Sequence, residues 1–150
     1  MDIGQTSRSI LFYSYLRLLQ QKKNSVTDLA AILETTKPNI SQQIKQLSDI
    51  GYLAHKPYQP ITFSNSGLIR ADRLYKRVLT LESFLFKSLA MPFYQCRSEA
   101  FAWEANINES TMSSISEKMG ITIGLVGELF PVELAKLPTN TVFTTLKPIT

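Results

Sequence analysis

The stretch SVTDLAAILETTKPNISQQIKQLSDIGYLAHKPYQPITFS, residues 25–64, allows few folds. Thr27 is a good N-cap for DLAAILE (28–34), because its hydroxyl can accept from amides that the first helical turn leaves free. Leu29, Ala30, Ile32 and Leu33 supply the buried side of that helix. After the short connector TT comes KPNISQQIKQLSDIGYL, in which Pro38 suits a first helical turn and Gly51 ends the helix as a left-handed cap. Two short helices joined by three or four residues, with a small residue, Ala30, at the expected crossing, make a helix-turn-helix candidate.

At about 100° per residue, Ile40, Ile44 and Leu47 of the second helix fall within about 60° of one another and form its core stripe. The opposite face carries Pro38, Gln42, Lys45 and Gln46, with Asn39 at its edge. Such a face can read base edges, since Gln offers a donor and an acceptor to adenine and Lys can bond guanine or phosphate. It is equally what any solvated helix face looks like. The following residues favour the first reading: YLAH (52–55), the turn KPYQP (56–60) and ITFS (61–64) spell a β-hairpin placed directly after that helix. The hairpin would bring Lys56 and Tyr58 to phosphate.

Upstream, residues 7–21 keep helical spacing in Ile10, Leu11, Tyr15, Leu18 and Leu19. Downstream, a long helix is expected from Ser64 or Ser66 to about Ala90, with Leu68, Ala71, Leu74, Val78, Leu81, Leu85 and Leu89 as its stripe. Met91-Pro92 breaks it, and Pro92 can open the next helix, about 93–107. A third, roughly 109–119, has Asn108 as cap and Gly120 as stop. Beyond it, ITIGLVGELF is apolar, PVELAKL suits a helical turn or two, and TNTVFTTLKPIT suits a strand or an ordered tail. The fold class is therefore mainly α, with an N-terminal winged helix-turn-helix.

A net charge of +4 permits an acidic partner, and nucleic acid is the commonest for a small basic chain. The single cysteine, Cys96, excludes an intrachain disulfide and makes a reducing cytoplasm the default. No apolar run approaches the roughly 20 residues that span a bilayer, so no membrane is expected. An enzyme has little to work with: there is no Gly-rich phosphate loop and no Cys or His cluster, and the one histidine, His55, has no evident catalytic partner.

The series VTDLAAIL (26–33), PNISQQIKQL (38–47), GYL (51–53), Tyr58, TFSNSG (62–67), LESFL (81–85), SEAFAWE (98–104) and Gly120 resembles the diphtheria toxin repressor and manganese transport regulator family of metal-dependent repressors. The resemblance spans about residues 9–120 and fits the shorter, manganese-type members. It implies a cytoplasmic homodimeric repressor of double-stranded operator DNA. A winged helix-turn-helix would occupy 1–75, and an α-helical dimerisation and sensor domain 76–150. Pro38 and Gln42 match positions that contact bases. With the exposed face and the wing they give Thr27, Lys37, Pro38, Asn39, Ser41, Gln42, Lys45, Gln46, Lys56 and Tyr58 as candidate DNA-contact residues.

The same resemblance implies Mn or Fe(II) bound by His and Glu donors on two facing helices, since positions i, i+3 and i+4 share one helical face. Here Glu82 and Glu104 stand at ligand positions, but Val78, Phe101 and Ala105 replace other donors, Ser9 and Phe12 stand at the N-terminal positions, and Arg97 occupies a further histidine position. Arg97 could instead pair with a nearby carboxylate and take the place of the cation. The expectation is a repressor-like regulator with no cofactor; the alternatives are a non-standard metal site on Glu82 and Glu104, or a winged-helix interaction module that no longer binds DNA. Cys96, at a helix start beside Arg97, is either a redox switch with a lowered thiol pKa or a small buried hydrophobe.

Overall fold

The computed structural model describes residues 3–120. Expectations for 121–150 lie outside the described residues. The described chain divides into two compact units, the first ending at Asp72 and the second beginning at Arg73.

The first unit opens with α1 (Gln5–Leu19), buried along 7–15. Its small hydroxyls allow that burial because they find partners: Ser7 donates to Gln43 Oε1 at 2.8 Å, Ser9 to the Gln5 carbonyl at 3.0 Å, and Ser14 accepts from Asn24 Nδ2 at 2.7 Å. Leu18, expected on the apolar stripe, is exposed.

Helix α2 (Val26–Ile32) is capped by Ser25, not by Thr27. The Ser25 hydroxyl accepts from the Asp28 amide at 3.1 Å and donates to the Asp28 carboxylate at 2.8 Å. That two-way exchange starts the helix two residues early and leaves Thr27 exposed in its first turn. Helix α3 (Lys37–Ile50) has Thr36 as N-cap, Pro38 in the first turn, and Gly51 at φ 98° as its left-handed end. Leu29 and Ala30 of α2 and Ile40, Ile44 and Leu47 of α3 are buried.

The hairpin pairs β1 (Leu53–Ala54) with β2 (Thr62–Phe63) antiparallel, Leu53 opposite Phe63 and Ala54 opposite Thr62. The strands are shorter than the sequence suggested. The wing is anchored by the Ile61 amide, which donates to the Asn24 carbonyl at 2.9 Å. Ser64 then starts α4 (Asn65–Lys87), its hydroxyl accepting from the Gly67 amide at 3.0 Å and donating to the Gly51 and Tyr52 carbonyls. Gly67 is required: a Cβ there would lie 1.8 Å from the Tyr52 carbonyl oxygen. The buried Tyr15 hydroxyl donates to Asp72 Oδ1 at 2.7 Å.

The division between the units falls within α4, which ends three residues before the expected Ala90. Ala90 takes a left-handed φ of 53°, and the Met91 amide reaches back to the Leu85 carbonyl at 3.0 Å. Pro92 opens only a 3₁₀ turn, Phe93–Gln95, before α5 (Cys96–Glu104). Helix α6 (Glu109–Met119) has Asn108 as cap, its Oδ1 accepting from the Thr111 amide at 2.8 Å, and Gly120 at φ 67° as stop. Leu74, Val78, Leu81, Leu85, Ala100, Phe101, Met112 and Ile115 are among the buried apolar residues of this unit.

Candidate nucleic-acid interface and the buried charges

The amphipathic period of α3 turns Ile40, Ile44 and Leu47 inward, which leaves Lys37, Pro38, Ser41, Gln42, Lys45 and Gln46 in solvent. Asn39 is half-buried and holds the turn, its Nδ2 donating to Thr35 Oγ1 at 2.9 Å. It is therefore partly committed to structure. The four-residue connector 33–36 sits between α2 and α3.

In the wing, Lys56 and Tyr58 are both exposed. The Gln59 amide donates to the Lys56 carbonyl at 3.1 Å, and Tyr58 has φ 63°, so Lys56-Pro57-Tyr58-Gln59 has the pattern of a type II turn with Tyr58 at the position that prefers glycine. A bulky residue held left-handed costs about 1–2 kcal/mol. The ring makes no compensating burial, being fully exposed.

The second unit places its charges differently. Glu82, fully buried on α4, accepts from Arg97 Nε of α5 at 2.8 Å. Glu104, buried on α5, accepts from Arg77 Nε of α4 at 3.0 Å. Arg77 also donates to Glu109 Oε1 at 2.8 Å, and Arg73 meets the same exposed carboxylate. The two buried pairs are reciprocal, each helix giving one arginine and one glutamate. Burial pushes the Glu82 carboxyl up to about 7 against the pull of the Arg97 guanidinium, and burial likewise pushes the Tyr75 phenol up to about 12.

Glu99, by contrast, is a surface residue that accepts from the Trp103 indole at 2.9 Å. Arg77 was not singled out in the sequence. The signal was present, since it stands three after Leu74 and four before Leu81, on the inward face of α4.

These residues do not fit a resident divalent ion. Each surviving ligand-position carboxylate already holds a guanidinium, and Val78 and Phe101 are buried without donor atoms. One oxygen, Glu82 Oε2, is buried with no hydrogen-bond partner, and a single oxygen is far short of a coordination shell. Among the described residues no group of three His, Cys, Asp or Glu side chains is placed to hold a metal. Cys96 is buried, and burial, then the Glu82 carboxylate, push its thiol pKa up, not down as the redox reading required. It packs as a small hydrophobe. Among the described residues no helix is long and apolar enough to cross a membrane.

Residues 16–54 match the family described as bacterial regulatory protein, arsR family. An uncharacterised HTH-type transcriptional regulator of Methanocaldococcus jannaschii is 24% identical over 89 residues, which is 59% of this chain and 71% of that protein. The fold is that of three solved regulators. The manganese regulator SloR (TM-score 0.67, 17% identity) aligns over 81% of this chain and 56% of its own. IdeR of T. acidophilum (0.66, 17%) aligns over 81% and 55%. A manganese-dependent transcriptional repressor solved with manganese (0.64, 24%) aligns over 75% and 53%. The chain thus spans little more than half the length of these structures. The arsR match stops at β1, so it covers the helix-turn-helix that winged helices share and nothing of the second unit.

Proposed function

We propose that this chain is a sequence-specific, DNA-binding transcription regulator of the metal-dependent repressor type, acting as a cytoplasmic homodimer on operator DNA and carrying no catalytic activity. The observation that carries the reading is the α3 face: Pro38, Gln42, Lys45 and Gln46 are exposed opposite a stripe of fully packed aliphatics. Amides and a lysine on the exposed face of the second helix of a helix-turn-helix are the groups that read a major groove. Tyr58 supports the same reading, because a fully exposed aromatic in a strained backbone position gains nothing from its own chain. Dimerisation through the second unit is supported by the exposure of Phe86, Leu89, Phe93 and Tyr94, large apolar side chains close together in sequence. Two of the solved regulators of the same fold are a manganese regulator and a manganese-dependent repressor, which agrees with a repressor's role.

Fluorescence anisotropy against a library of genomic duplexes tests it. Salt-sensitive binding that selects particular sequences is expected. Failure of every duplex to bind at low salt would leave the fold as a protein-interaction module.

A further inference from the structure

We propose that Arg97 and Arg77 are built-in cations that tie α4 to α5 where a divalent metal would otherwise do so, so that the second unit holds its working state with no Mn or Fe bound. The geometry is reciprocal: Glu82 of α4 takes Arg97 of α5 at 2.8 Å, and Glu104 of α5 takes Arg77 of α4 at 3.0 Å. All four side chains are buried. The pairs follow an antiparallel register, the earlier residue of α4 meeting the later residue of α5. Together they join α4 to α5 near both ends of α5. Arg77 extends the link to α6 through Glu109.

The chemistry makes the cation permanent. A guanidinium stays protonated at any physiological pH and cannot be diluted or chelated, whereas a bound ion leaves when its free concentration falls. An incoming ion could meet Glu82 Oε2, but to take Glu82 Oε1 or Glu104 Oε1 it would have to displace a buried arginine. It would then find Val78, Phe101 and Ala105, whose side chains offer no donor, in place of further ligands. Stripping a buried carboxylate of its arginine leaves the arginine buried without that partner, which is strongly unfavourable. Metal entry therefore loses on both counts.

The regulatory consequence rests on the reading of the chain as a DNA-binding regulator; the cation replacement does not. Two measurements on the full chain separate them: calorimetric titration with Mn²⁺, and duplex anisotropy in excess EDTA and again in saturating Mn²⁺. No Mn²⁺ binding in the micromolar range is expected, with duplex affinities agreeing within about twofold, below the roughly 5- to 150-fold of ordinary allosteric coupling. A micromolar Mn²⁺ site, or a gain in duplex affinity of about tenfold or more on adding Mn²⁺, would overturn the proposal. If no duplex binds in either condition, the DNA reading falls while the Mn²⁺ titration still decides this one. Thermal melting of Arg97→Met and of the double variant Glu82→Leu, Arg97→Met adds a test of the pair. The single variant should melt well below the wild type and the double variant should recover most of the loss, because apolar residues leave no charge buried alone. A single variant that melts like the wild type, or a double variant no better than the single, overturns it.

Discussion

Helix α3 in the first unit and the α4–α5 pair in the second dispose of their polar side chains in opposite ways. On α3 the buried positions are aliphatic, and Gln42, Lys45 and Gln46 face water. Between α4 and α5, Arg77, Glu82, Arg97 and Glu104 are buried and paired with one another. Polar groups left in solvent are available to a partner, and their loss should alter binding while sparing the fold. Buried ion pairs are already engaged, and their loss should alter the fold first.

The sharpest way to break that contrast is Arg77→Met. It removes the guanidinium that Glu104 holds at 3.0 Å in a buried site, and should cost about 3–5 kcal/mol of stability in urea denaturation. The contact of Arg77 with Glu109 adds little, since that carboxylate is exposed. A loss under about 1 kcal/mol would mean the pair behaves like a surface salt bridge and the contrast fails.

Next is Gly67→Ala, which tests whether the first unit also has positions of this severity. The added methyl would meet the Tyr52 carbonyl oxygen at 1.8 Å, and backbone cannot swing aside as a side-chain tip can. A cost of roughly 1–3 kcal/mol is expected, the range of an overpacked core. Unchanged denaturation would show that α4 can shift away from the start of β1.

Gln42→Ala should do the reverse. Stability should stay within about 0.5 kcal/mol, as for surface changes, while binding to the preferred duplex weakens by about 1–3 kcal/mol and sequence preference relaxes. Equal weakening on every duplex would move Gln42 from base reading to backbone contact.

Much of the first unit was legible because its signals are local. Pro38 and Gly51 mark the ends of α3 by their own chemistry, as Asn108 and Gly120 do for α6 in the second unit, and the spacing of Ile40, Ile44 and Leu47 fixes which face is exposed. Local signals also mislead when two compete. Thr27 and Ser25 both carry a capping hydroxyl, and the reply of Asp28 to Ser25 decided between them. Leu89 continues the three-four spacing, so the left-handed Ala90 that closes the end of α4 left no mark in the sequence. The second unit was harder for a different reason. Arg97 could be read as a stand-in for a cation, but its pairing with Glu82, and that of Arg77 with Glu104, depends on the register of α4 against α5. No periodicity within one helix sets that register.

Lys45→Ala is the mildest change and separates the two kinds of exposed contact. A lysine that neutralises one phosphate releases about one counterion, so its loss should lower the slope of log affinity against log salt by about 0.9. The loss should be uniform across sequences and shrink as salt rises, unlike that of Gln42→Ala. Anisotropy at several salt concentrations with preferred and scrambled duplexes reads both quantities. If the slope is unchanged and only the preferred duplex weakens, Lys45 bonds a base, and the reading face of α3 extends three residues beyond Gln42.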